Sequence, residues 1–137
     1  MKKVTRDNKT FKIVPENKTV YGTGKKKDLS YEICSTFTKY EHEVLPSDLY
    51  IVPTSNIYSK AVCSEGDHFD EKIGIDISSA KLDLKNHEYA ARKYDWVIKT
   101  MISAIKKLED LSERHKKKAK AIRNDLERYY GEGEYLK

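Results

Sequence analysis

From Asn86 to Tyr130 the chain holds neither proline nor glycine and repeats apolar residues at helical spacing for many turns. No other stretch restricts the fold as much. Val97, Met101, Ala104, Leu108 and Leu111 recur at alternating steps of four and three, which places them on one stripe of a helix with near-heptad character. His115, Ala119, Ile122, Leu126 and Tyr129 resume the spacing after two consecutive steps of four, a stutter that locally unwinds a regular supercoil. Unbroken, this helix would reach on the order of 65 Å at 1.5 Å per residue. That exceeds any sheet the chain could place beside it, so one end is expected to project, to lie against a partner or to fold back. Asn86 is the expected N-cap, with Glu88 favourably placed in the first turn. Tyr89, Lys93 and Trp96 widen the apolar face, so the N-terminal half should pack on the sheet. Ser112 to Lys118 is nearly devoid of apolar material, which makes it an exposed waist or a bend. Gly131 and Gly133 end the helix and leave residues 131–137 as a polar tail.

The residues before this helix are short, interrupted and strand-like. Residues 1–28 alternate lysine with polar residues and offer few apolar anchors, which predicts a flexible basic arm with one short edge strand near Phe11 to Val14, ended by Pro15. Residues 29–84 predict a small antiparallel sheet. Leu29 to Tyr40 alternates with period two, and Leu49 to Val52, Ile57 to Cys63 and Lys72 to Ile77 follow between turns at Pro46 to Asp48, Ser55-Asn56 and Glu65 to Asp67. Gly74 falls on the face opposite Ile73, Ile75 and Ile77, where it allows a close approach or marks a bulge. Residues 85–130 are then the long amphipathic basic helix. The expected class is α+β, a small antiparallel sheet followed by a long, partly projecting basic C-terminal helix.

Net charge is +5 over 137 residues, but its distribution says more. Residues 1–28 hold nine Lys/Arg against three Asp/Glu, residues 29–84 hold four against ten, and residues 85–130 hold thirteen against seven, giving +6, −6 and +6. Basic ends suit an anionic partner, and the acidic centre suits a basic partner or an internal contact. An apolar share of 38% is enough for a modest core. Neither a long apolar run nor a signal peptide is present, so no membrane association is expected. Two cysteines, Cys34 and Cys63, make neither a disulfide scaffold nor a CxxC site.

Candidate sites divide by charge. Lys25, Lys26 and Lys27 follow Gly22-Thr23-Gly24, but the stretch lacks the spacing and the hydroxyl of a Walker loop and is read as a flexible basic turn able to approach phosphates. Lys116, Lys117, Lys118, Lys120 and Arg123 belong to a basic column on the helix that also includes Lys106, Lys107, Arg114 and Arg128. Such a column can track a phosphate backbone, with lysines as point charges and arginines as bidentate donors. Glu65, Asp67, Asp70 and Glu71, with His68, form the dense acidic cluster. It matches neither a calcium loop nor an HExxH helix and is read as a solvated turn or an acidic docking surface. His42, His87 and His115 have no sequence-evident nucleophile partner. No catalytic residue, metal ligand or cofactor is assigned, and no small-molecule substrate is expected.

Leu49-Tyr50-Ile51-Val52-Pro53-Thr54-Ser55-Asn56, the run Ile73-Gly74-Ile75-Asp76-Ile77, and Ser79-Ala80-Lys81-Leu82 entering a long Lys/Ile/Leu helix together resemble small phage-encoded inhibitors of type II CRISPR RNA-guided nucleases. The likeness spans roughly Leu49 to Leu111, with Ile75 to Leu82 and Ile98 to Leu111 as its closest local matches. It implies a non-enzymatic counter-defence protein in the cytoplasm of an infected bacterial host, binding an RNA-guided nuclease or its complex with RNA or DNA. The acidic turn and the basic helix beyond Ser112 depart from the pattern and leave two docking modes open. In one, the acidic edge imitates DNA; in the other, the arm and helix bind nucleic acid. A stand-alone phage nucleic-acid-binding or regulatory protein is the alternative, and a small metal-dependent enzyme a more distant one. The apolar seam of the helix also makes a homo-oligomer an expectation.

Overall fold

The N-terminal segment expected to be a flexible arm supplies most of the sheet. In the computed structural model, which describes residues 1–131, β1 (Lys2–Arg6), β2 (Lys9–Val14) and β3 (Thr19–Lys25) pair in succession, and β4 (Asn56–Val62) adds beside β3. The four-stranded order is β1-β2-β3-β4, with every neighbouring pair antiparallel. Alternation explains the pairing: Phe11 and Ile13 on β2 and Val20, Gly22 and Gly24 on β3 point inward and are buried, while Lys12 and Tyr21 between them face out. Asp7 and Asn8 both take positive φ, 52° and 62°. They build a two-residue turn of the mirror-image kind that matches strand twist. Pro15 opens a 3-10 turn (Pro15–Asn17), and Lys18 at φ 50° returns the chain into β3.

The longest alternating run is helical, contrary to the sequence expectation. Leu29 to Tyr40 forms α1 (Ser30–Thr36) and the start of α2 (Lys39–Val44). A capping box breaks the run: Thr38 Oγ1 accepts the Glu41 N–H at 3.3 Å, and Glu41 Oε1 accepts the Thr38 N–H at 3.0 Å. Of the expected strand at Leu49 to Val52, Leu49 and Tyr50 end a 3-10 turn (Ser47–Tyr50) that buries Leu49, and Ile51 and Val52 are irregular. The strand expected at Ile57 to Cys63 is present as β4.

The helix α3 (Glu71–Tyr130) begins at Glu71 rather than at Asn86. Asp70 starts it, its carboxylate accepting the Ile73 N–H at 3.2 Å and its carbonyl the Gly74 N–H at 3.0 Å. The isoleucine alternation over Lys72 to Ile77 imitates a strand, yet the buried face is Gly74, Ile75, Ser78, Ser79 and Leu82, a helical stripe of mostly small residues. Small residues bring the helix close to the sheet. A Cβ on Gly74 would lie 2.6 Å from Val20 Cγ2, and one on Gly22 would run into Ser78 Oγ of α3. Ser59 Oγ donates to the Ser78 carbonyl at 2.8 Å and meets Ser78 Oγ at 2.6 Å, which satisfies the buried hydroxyls. Phe11, Ile13, Val20, Ala61, Ile75 and Leu82 form the core.

Charged side chains pin both flanks of this first part of α3. Glu71, Asp76 and Asp83 pair with Lys2 (3.3 Å), Arg6 (2.8 Å) and Lys9 (2.7 Å) from the β1–β2 hairpin. On the other flank Lys81 and Lys85 donate to the Lys60 and Tyr58 carbonyls of β4, covering an edge strand that would otherwise offer unpaired acceptors. Residues 74–82 therefore pack on the sheet, in place of the Tyr89 to Met101 segment expected there. Asn86 lies inside the helix, where its side chain bonds the Lys27 N–H at 2.8 Å and the Lys25 carbonyl at 3.2 Å.

The chain divides into two compact units, Met1–Val97 and Ile98–Lys137. In the second unit α3 continues without interruption through Ser112, and its described residues are exposed apart from half-buried Met101. Gly131 follows Tyr130 at φ +60°, its N–H bonding the Glu127 carbonyl at 3.1 Å. The remainder of the expected polar tail, residues 132–137, lies outside the described residues.

Candidate nucleic-acid interface

The outer face of the sheet carries a pattern that the sequence reading passed over. Because outward positions alternate with core positions, cross-strand register lines them up in rows. Lys3 stands opposite Lys12, Lys12 opposite Tyr21, and Tyr21 opposite Lys60. The next row runs Thr5, Thr10, Thr23 and Tyr58, and Lys25 lies farther along the same face of β3. Tyr21 is 37% exposed and Tyr58 61%. None of the four strands contains an acidic residue. Like charges directly opposite destabilise a sheet, so the Lys3–Lys12 pair is a cost that an anion lying across the face would relieve. Tyrosine rings can stack on bases while the lysines meet phosphates, the pairing of chemistries that single-stranded nucleic acid requires. The available signal was Asp7-Asn8 between two alternating runs, which marks a hairpin.

The lysines flagged by sequence are held differently from one another. Lys26 and Lys27 are half-buried. The Lys26 N–H donates to the Ser55 carbonyl at 3.3 Å, and its Nζ lies 4.8 Å from the Tyr89 ring centroid. Lys27 Nζ pairs with Glu32 at 3.1 Å. That contact, with a hydrogen bond donated by the Tyr94 hydroxyl at 3.0 Å, holds the Glu32 carboxyl below the usual carboxylate range. Burial and, after it, Glu32 push the Tyr94 hydroxyl up to about 12. Lys26 and Lys27 thus fasten β3 to α1 and α3, while Lys25 stays exposed at the end of β3.

Lys116, Lys117, Lys118, Lys120 and Arg123 lie in the second unit and are all exposed on α3. Among the described residues this group makes one ion pair, Lys116 to Glu113 at 3.5 Å between side chains 71% and 64% exposed, a geometry that contributes little. Their charge remains available to an outside anion.

The fold engages two side chains of the acidic cluster, Asp70 and Glu71, while Glu65 and Asp67 are exposed. Asp70 caps α3, Glu71 meets Lys2, and the Asp67 carbonyl accepts from Lys18 Nζ at 2.9 Å. Asp67, His68 and Asp70 line a shallow hollow with Cys63 and Lys81, but among the described residues no three His, Cys, Asp or Glu side chains converge to hold a metal ion. Cys34 is exposed, and the Cys63 thiol lies 3.7 Å from the Ser64 and Asp67 carbonyls. His42 Nδ1 hydrogen-bonds the Tyr50 hydroxyl, and its ring meets Phe37 edge-on with centroids 6.2 Å apart. These contacts tie α2 to its neighbours.

No family model, curated protein or solved structure matches the chain. Among the described residues no helix is long and apolar enough to cross a membrane.

Proposed function

We propose that this protein is a non-enzymatic binder of single-stranded nucleic acid, acting on RNA or DNA held in a nucleoprotein complex. The observation that carries the reading is the acid-free outer sheet face, with Lys3, Lys12 and Lys60 in one row around Tyr21 and with Tyr58 exposed in the next. The exposed Lys116 to Arg123 segment of α3 supplies a second, sequence-independent attraction for phosphates. The resemblance to phage inhibitors narrows the proposed complex to an RNA-guided nuclease carrying its guide, met in the cytoplasm of an infected bacterial cell, where occupying RNA or displaced DNA blocks the nuclease. The acid-mimic mode is the weaker of the two docking modes, because Asp70 and Glu71 are engaged within the fold.

A pull-down from host extract, with and without nuclease treatment, tests the proposal. Recovery of an RNA-guided nuclease that falls when RNA and DNA are digested supports it. Recovery of nucleic acid alone moves the protein to the stand-alone binder class. Capture of the nuclease unchanged by digestion would place docking on protein and overturn the role of the sheet face.

A further inference from the structure

The exposed apolar face of α3 beyond the sheet-packed part is self-complementary in one orientation. Val97 is buried in the first unit, so the free face is counted from Ile98. From there, steps of three and four run unbroken to Tyr129, and the stutter disappears. We propose that residues 98–129 form an antiparallel two-stranded coiled coil with a second copy of this chain, its two-fold axis passing between Glu113 and Arg114. This inference does not depend on the nucleic-acid reading.

The register follows from the residues. Reversing the helix about that axis sets Ile98 against Tyr129 of the second copy, Met101 against Leu126 and Ile105 against Ile122. Nearer the axis, bulky Leu108 meets small Ala119, and Ser112 meets His115, so large and small side chains alternate across the seam. Among the described residues much of this apolar face is exposed: Ile105 is 49% exposed, Leu108 66% and Ile122 60%. Charge chooses the orientation. In an antiparallel pair like flanks face each other, which puts Glu109 beside Lys116 of the second copy, twice by symmetry. The other flanking contacts, Ile102 with Arg123, Leu111 with Lys118 and Ala104 with Asp125, join no like charges. A parallel, in-register pair would set Lys118 against Arg123 twice and stack Ala119 on Ala119, leaving a gap in the seam. Lys106, Lys117 and Lys120 face away from the antiparallel seam, so each dimer carries two basic outer surfaces.

Sedimentation equilibrium across a concentration series should show a monomer–dimer equilibrium. Glu109→Lys alone and Lys116→Glu alone should each weaken it about tenfold, from two lost attractions and two new repulsions of similar size, and the double exchange should restore it. Orientation is read by spin labels placed singly at Lys99→Cys or Asp110→Cys with Cys34→Ser and Cys63→Ser. The antiparallel register separates the two Lys99 positions by about 45 Å along the axis, whereas the Asp110 labels lie within about 30 Å. A strict monomer at the highest concentration, charge variants that associate like the parent, or equally short distances at both labels would each overturn the proposal. Circular dichroism of every variant confirms that the helix persists.

Discussion

A methyl group suffices to probe how closely α3 lies on the sheet. At Gly22 an added Cβ would run into Ser78 Oγ of α3 and lie 3.2 Å from Leu82 Cδ1, and at Gly74 it would fall 2.6 Å from Val20 Cγ2. Gly22→Ala and Gly74→Ala should therefore each destabilise the protein by about 1–3 kcal/mol in chemical denaturation, despite alanine's lower unfolded-state entropy. Variants as stable as the parent would mean that the helix sits farther off. Tyr94 makes a second residue-scale test. Its folded pKa, about 12, exceeds the ordinary 10.0, so its stabilisation is fully present below pH 10 and is lost as pH rises from there toward 12. Tyrosinate absorbance of the parent minus that of Tyr94→Phe should show one group titrating near the upper value; titration near 10 would contradict its burial beside Glu32. Glu32 has the opposite sign, with a lowered folded pKa, so its contribution fades as pH falls below the usual carboxylate range.

At the scale of elements, the ion pairs between the β1–β2 hairpin and α3 form a graded series. Lys9 is 16% exposed where it meets Asp83 and also bonds Ser79 Oγ at 2.9 Å, whereas Lys2 is 64% exposed where it meets Glu71. Asp83→Asn should cost about 1 kcal/mol and Glu71→Gln less than about 0.5 kcal/mol, measured by denaturation at low salt. Equal losses would show that burial does not govern these contacts. The same hairpin marks what the sequence could reveal. Its inward residues alternate cleanly around Asp7-Asn8, but low apolar content made the segment look unable to fold, because the surface that covers Phe11 and Ile13 lies some sixty residues away in α3. Period two misled at Leu29 to Tyr40, where the Thr38-Glu41 capping box was the better signal. It misled again at Ile73 to Ile77, where buried Gly74, Ser78 and Ser79 define the packed face without being hydrophobic. The long periodic helix was legible from Asn86 onward because tertiary partners do not decide it. The lysine clusters were legible as charge, but not as one engaged group at Lys26-Lys27 and one available group at Lys116 to Arg123.

For the molecule as a whole, the three blocks of charge resolve into internal pairing and a remaining surplus. Lys2, Arg6 and Lys9 meet Glu71, Asp76 and Asp83, so the acidic centre is partly neutralised by the N-terminus. Positive charge is left on the outer sheet face and on α3 beyond Ile98. The central claim is that the first of these surfaces binds single strands through lysines and tyrosines together. The most direct measurement is fluorescence anisotropy with a labelled single-stranded RNA and the matching duplex, repeated over a salt series. The parent protein should prefer the single strand, with log K falling linearly against log salt. Lys12→Glu with Lys60→Glu should reduce the magnitude of that slope by about two. Tyr58→Ala should weaken single-strand binding by about 1–3 kcal/mol while leaving the slope unchanged. Absence of binding, or isotherms indistinguishable between the parent and these sheet-face variants, would contradict the account.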